Sequence, residues 1–215
     1  MNVKLISYSK PVDEDLDANE LVAYCARVSN PSNQKNHETS DRLLSYLVRE
    51  KHWSPFEMVS ACLEITTTRD IARQILRHRS FSFQEFSQRY ADPVEDLSIN
   101  LFREARFQDT KNRQNSIELD SDQVDISYEW MKRQAEVAVA VKNSYQWAKE
   151  NGIAKEQTRV IFPEGMTESK LYVNGTLRSW MHYIALRTDM STQKEHREVA
   201  IACRKELGKV FSFYF

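Results

Sequence analysis

The sequence predicts an α+β fold: long helices packed on a small, mostly antiparallel twisted sheet, in a single domain spanning 1–215. Three observations carry this. Apolar residues recur at helical spacing in several segments, the longest over roughly 126–150. Short runs rich in β-branched residues occur at 3–8, 58–68 and around Leu171-Tyr172-Val173. These strands are scattered among the helices rather than alternating with them, which argues against a βαβ succession.

Residues 3–8 read as a strand, followed by an acidic turn at Asp13–Asp17. A helix carrying Leu21, Val22, Tyr24, Cys25 and Val28 stops before Asn30-Pro31, because the residue preceding proline disfavours helix. A second helix starts near Thr39 or Ser40, aligns Leu43, Leu44, Leu47 and Val48, and ends by His52-Trp53-Ser54-Pro55. The next strand places Val59, Ala61, Leu63 and Ile65 on one face. A helix from Arg69 buries Ile71, Ala72, Ile75 and Leu76, with Gln74 and Arg77 sharing its other side. Residues 93–125 are polar and weakly patterned, an insertion or hairpin excursion. The 126–150 helix closes at Asn151-Gly152, and its Tyr and Trp stripe reads as core. A short helix bearing Arg159 leads to Pro163, and a strand then ends in an Asn174-Gly175 turn. Helices over TLRSWMHYIALR and about 193–210 complete the chain.

Composition limits the functional classes. Thirty Lys and Arg balance 31 Asp and Glu, for a net charge of -1, so the global basic field of a polyanion-binding protein is missing. Basic residues cluster instead at 69–79 and around Arg178 and Arg187, a pattern of discrete anion sites. Cys25, Cys62 and Cys203 are far apart and form no CxxC pair, so they read as reduced core thiols. The opening MNVKLISYSKPVDED has no apolar run of the signal-peptide kind, and no window approaches a membrane span. The expectation is a soluble cytoplasmic protein that binds neither nucleic acid nor membrane.

Four glycines, at 152, 165, 175 and 208, cannot build GxGxxG or a Walker loop, which removes those nucleotide sites. No HExxH or close His pair suggests a metal. His37 and His196 read as surface residues. The informative segment is RHRSFSFQEFSQRY at 77–90, in which Arg, Ser and Glu are interleaved with Phe and Tyr. Guanidinium groups bind phosphate bidentately, hydroxyls add donors and aromatic rings stack on planar ligands. Taken alone, Arg77-His78-Arg79 is also what a solvated basic helix end looks like. A continuous helix would send Arg77 and Arg79 to opposite sides; unwinding would let both converge with His78 on one ligand.

Arg77-His78-Arg79, with Ser87 after seven further residues, resembles the signature of the flavin-dependent thymidylate synthases. So do the flanking Gln74, Glu85, Arg89 and Tyr90, and the segments AYCARVSN, KHWSPFEM, KEQTRVIFP and LRSWMHYIALR. The resemblance implies reductive methylation of dUMP to dTMP. Methylenetetrahydrofolate would donate the carbon, NADPH the electrons and FAD a hydride, without a covalent enzyme nucleophile. It also implies a homotetramer with active sites at subunit interfaces. Carried over by position, Gln74, Arg77, Glu85, Phe86, Ser87, Arg89, Arg159 and Arg187 would bind dUMP. Ser29, Ser54, Glu57, Arg77, His78, Arg79, Glu85, Arg178 and His182 would contact FAD. Arg187 would act catalytically by favouring the N3-deprotonated uracil, and His52 would stand at the flavin and folate entrance. Gln84 replaces a common Asn, and Asn174-Gly175-Thr176 differs in length from the usual Asn-Ala-Arg form. Two rival readings remain at this point, an RNA- or nucleotide-binding module without chemistry and a different flavoenzyme on the same scaffold.

Overall fold

The computed structural model describes residues 1–12, 16–92 and 94–215; Asp13–Asp15 of the expected acidic turn and Pro93 of the expected excursion lie outside the described residues. The elements in order are β1 (Asn2–Tyr8), α1 (Ala18–Ala26), α2 (Ser40–Arg49), β2 (Ser60–Thr68) and α3 (Arg69–Ile75). Next come β3 (Ser82–Glu85), β4 (Arg106–Gln108), β5 (Ser116–Glu118), α4 (Val124–Glu150) and α5 (Lys155–Thr158). Last are β6 (Glu168–Thr176), α6 (Leu177–Arg187) and α7 (Lys194–Gly208). Four strands join in the order β1-β2-β6-β3. Leu177 N donates to Val59 O at 2.8 Å and Arg69 N to Thr167 O at 2.9 Å, which sets β6 antiparallel to β2. The fold is α+β with a small antiparallel sheet, as the sequence predicts.

The chain forms two compact units, Met1–Ile65 with Leu76–Gln84 and Tyr172–Phe215, and Thr66–Ile75 with Glu85–Leu171. In the first, α1 opens with a capping box: Asp17 Oδ1 accepts from Glu20 N, and Glu20 Oε2 accepts from Asp17 N. Val22, Leu44, Phe56, Leu63, Trp180, Met181, Leu207 and Phe211 form its core. Trp180 Nε1 donates to Ala61 O at 3.0 Å, so its polar atom is satisfied inside. In the second unit, Ile99, Val141, Tyr145 and Phe162 cluster. There β4 and β5 pair antiparallel, Phe107 opposite Ile117, as a hairpin within the polar 93–125 stretch.

Several expectations fail locally, each for a physical reason. Val28 is 69% exposed because α1 ends at Ala26. The neighbouring Arg27 is buried instead, with its guanidinium bonded to Thr39 Oγ1 and Asn36 O. The aromatic stripe of α4 is not core: Tyr128, Trp130 and Trp147 are exposed, and Tyr145 alone of the four is buried. A 27-residue helix has more apolar surface than one flank of its unit covers. His196 is fully buried rather than superficial, whereas His37 is exposed as expected. Arg77 lies beyond the end of α3, so it does not share a helix face with Gln74.

Asn174-Gly175 is not a turn but the interior of β6, which continues to Thr176 and passes directly into α6. Glycine is needed here by space. A Cβ at Gly175 would sit 2.3 Å from Phe81 Cδ1. That ring is fixed by Trp180 at 4.6 Å and Tyr183 at 5.9 Å between centroids. Gly175→Ala is therefore expected to destabilise by about 1–3 kcal/mol through overpacking. Thermal denaturation followed by circular dichroism checks this; a midpoint unchanged within error would show that the ring yields freely.

Candidate active site

The first unit gathers most of the residues expected at the flavin. Strand β6 runs into α6 at Thr176, whose hydroxyl caps the helix by accepting from Ser179 N. The same hydroxyl donates to Glu57 Oε2 at 2.8 Å, and Arg178 Nη1 donates to Glu57 Oε1 at 2.7 Å. Burial pushes the Glu57 pKa up, but the hydrogen bonds from Arg178 and Thr176 outweigh it and hold the carboxyl below its ordinary value. Glu57 comes from a single 3-10 turn, Ser54–Glu57, with Pro55 near its start. One turn along α6, His182 meets Trp53 edge-to-face at 4.8 Å. Ser54 is exposed beside them in sequence, and His52 is exposed, 6.0 Å from the Tyr46 ring.

Chain unwinding after Ile75 gives the arginine-histidine segment its shape. Arg77 and Arg79 are exposed, and His78 is half-buried. Arg187 Nε donates to His78 Nε2 at 2.9 Å. The His78 ring stands edge-on to Tyr183 at 4.9 Å, and Tyr183 Oη lies 3.1 Å from His196 Nε2. Burial, then the Arg187 charge, then that of Arg77, push His78 down to about 4. Burial and the charges of Arg187 and His78 push His196 down to about 3. His78 is therefore a neutral acceptor at neutral pH, and it fixes the guanidinium plane of Arg187. Ser29 lines a cleft of about 520 Å³ with Arg27, Thr39, Arg42 and Tyr46.

The second unit holds most of the residues expected at the nucleotide. Ser169 Oγ donates to Glu85 Oε1 at 2.8 Å, and Phe86 N donates to Lys170 O at 2.9 Å. Ser87 begins a turn: Tyr90 N donates to Ser87 O, and Ser87 Oγ accepts from Arg89 N. Arg89 Nη2 lies 3.5 Å from Glu156 Oε2, and Arg159 Nε donates to Glu156 O at 3.2 Å. Arg159 lines a cleft of about 510 Å³ with Arg69, Arg73, Gln88, Glu156 and Glu164. Arg69, Arg73 and Gln88 were not among the expected site residues; the basic cluster at 69–79 was the available signal. Gln74 lies one residue beyond Arg73 on α3. Among the described residues no helix is long and apolar enough to cross a membrane.

Comparison with known proteins settles the ancestry. The family model of thymidylate synthase complementing protein matches residues 5–211. The chain belongs to that family. It is 50% identical over 212 residues to a probable flavin-dependent thymidylate synthase of Paramecium bursaria Chlorella virus 1, covering 98% of this chain and 95% of that protein. It is also 50% identical over 217 residues to the flavin-dependent thymidylate synthase of Synechocystis sp., covering 98% and 96%. Among solved structures, it is similar to a UMP/dUMP methylase, PolB from Streptomyces cacaoi, bound with 5-Br dUMP. That likeness has a TM-score of 0.79 at 24% identity over 99% of this chain and 92% of the other, and it speaks for the fold. Membership, with named synthases at this identity, makes the protein an enzyme.

Proposed function

We propose that this protein is a flavin-dependent thymidylate synthase that methylates dUMP reductively to dTMP. What carries the reading is the 50% identity over 98% of the chain to proteins named as such synthases. The geometry within each unit supports it. A flavin dinucleotide bears a diphosphate and a planar ring. Arg77, Arg79 and Arg178 offer guanidinium donors, and Trp53 with His182 offers an aromatic surface, so these side chains fit that group. Ser29, Ser54, Glu57, His78 and Glu85 are assigned to the same cofactor, Glu57 by orienting Arg178. When bound, FAD supplies the hydride relay, with NADPH as reductant and methylenetetrahydrofolate as carbon donor.

The chain's own side chains bind, orient and polarise. Arg159, Gln74, Ser87 and Arg89 hold the phosphate and sugar of dUMP, together with Arg77, Glu85 and Phe86. Arg187, held by neutral His78, presents a fixed positive charge to the uracil and favours its N3-deprotonated, electron-rich form. No Ser or Cys attacks the ring in this scheme. Burial pushes the thiols of Cys25, Cys62 and Cys203 up, away from the reactive thiolate, which is consistent with that. His52 stands at the flavin and folate entrance. The enzyme is proposed to be a homotetramer, in which the exposed Tyr128, Trp130, Met131 and Val139 of α4 would be covered.

Absorbance and product analysis test the proposal. The purified protein should be yellow, bleach with NADPH, and reoxidise faster with dUMP plus methylenetetrahydrofolate while dTMP accumulates. A colourless protein that retards RNA would overturn it, and NADPH oxidation without dTMP would favour a different flavoenzyme.

A further inference from the structure

Behind Arg187 the protein buries a polar pair that the proposed chemistry leaves unused. Tyr183 and Arg187 lie one turn apart on α6 and share a face of that helix. His196, in the first turn of α7, packs against Tyr183, with Tyr183 Oη and His196 Nε2 hydrogen-bonded at 3.1 Å. Tyr183 is 2% exposed and His196 0%. Apolar side chains of the same volume would fill this space without desolvating a hydroxyl and an imidazole. What the polar pair adds is direction, because a hydrogen bond fixes rings that packing alone leaves free to slide.

That direction reaches Arg187 through His78. The Tyr183 ring stands 4.9 Å from His78 and 5.8 Å from His196, and His78 stands 6.4 Å from His196, so the rings form a closed triangle. Phe81 at 5.9 Å and Trp180 at 5.8 Å flank Tyr183 as well. Arg187 Nε can only donate, so His78 Nε2 accepts at 2.9 Å and the neutral ring carries its proton on Nδ1. A tilt of the His78 ring therefore carries the guanidinium with it. Burial, then the Arg187 charge, hold His78 at about 4 and His196 at about 3, so neither is an imidazolium at neutral pH.

We infer that Tyr183 and His196 are positioning residues for Arg187: their hydrogen-bonded pair braces the His78 ring and so sets the plane of the guanidinium. The inference rests on the synthase reading only in taking Arg187 to act on the uracil. The brace itself belongs to the folded chain.

The test uses the flavin-loaded protein, the variants Tyr183→Phe, His196→Gln and His196→Leu, and a double variant combining Tyr183→Phe with His196→Leu. Rates of dTMP formation, melting temperatures and histidine nitrogen-15 spectra are recorded for each. Tyr183→Phe and His196→Leu should each lower kcat about 10–100-fold, the scale of a small misplacement at a reacting centre. KM for dUMP should change less, because a displaced charge fails chiefly as the anion develops. His196→Gln should keep part of the rate, since its amide can still bond Tyr183 Oη. The double variant separates positioning from packing. It leaves neither partner of the pair unsatisfied, so it should melt above either single variant while its kcat stays low. A pair that merely staples α6 to α7 would regain kcat along with stability, and that result would overturn the inference. In the spectra, His78 should be locked in the Nδ1–H tautomer in the parent and mix in the Nε2–H form once the pair is broken. Folded variants with kcat within about twofold of the parent, or with kcat lost but the His78 tautomer unchanged, would also overturn it. If His196→Leu does not fold, Tyr183→Phe and His196→Gln give the same readings. If the parent makes no dTMP, the synthase reading fails and the His78 spectra alone decide the brace: mixing supports it, an unchanged ring sinks it.

Discussion

Arg187→Ala is expected to lower kcat for dTMP formation about 10²–10³-fold, the usual loss on removing one preorganised charge from a developing anion. The expectation rests on how Arg187 is held. Its Nε donates to His78 Nε2, and His78 accepts because its pKa sits at about 4. An imidazolium could not accept that bond, so the arrangement is fixed at working pH. Arg187→Lys should recover little activity, because a lysine ammonium has neither the Nε position nor the planar fork. The substitution has a second signature. The Arg187 charge depresses both His78 and His196, so its removal should raise both pKa values toward their ordinary 6.5. Steady-state assays and histidine NMR titration read the two effects separately. A kcat within threefold of the parent in a folded, flavin-loaded variant would remove Arg187 from the chemistry.

The second large effect is acid lability. The unfolded chain takes up protons on histidine near pH 6.5, but the folded chain refuses them at His78 until about 4 and at His196 until about 3. Stability from these groups is therefore full above about pH 7 and is lost as pH falls through that window, since the unfolded state binds more protons. The completely buried His196, facing Tyr183, Arg187 and His78, should cost on the order of 2 kcal/mol between pH 7.5 and 5. The partly exposed His78 contributes a smaller share after solvent screening. Urea denaturation at the two pH values checks this. A flat stability profile, or an NMR titration of His196 near 6.5, would sink it.

What the sequence determined alone follows from local rules. Hydrophobic period placed α1, α2, α4, α6 and α7, and β-branched alternation placed β2 with Ala61, Leu63 and Ile65 inward. The long spacing of Arg77-His78-Arg79 to Ser87 pointed to the family that the comparisons show, because so many chemically unusual residues at fixed separations rarely arise from packing.

Tertiary structure decided what each of those residues touches. Asn174-Gly175 has the sequence of a turn, yet it lies in a strand, because the Phe81 ring fills the space a side chain would need. His196 sits in a polar stretch of sequence, yet it is buried against Tyr183, a partner 13 residues away. Trp130 and Trp147 carry the core signal of any tryptophan, yet α4 turns them outward. Local propensity is written in neighbouring residues and can be read there. Contacts between residues far apart in the chain depend on which faces the fold brings together, and the pattern of a single sequence does not encode those pairings residue by residue.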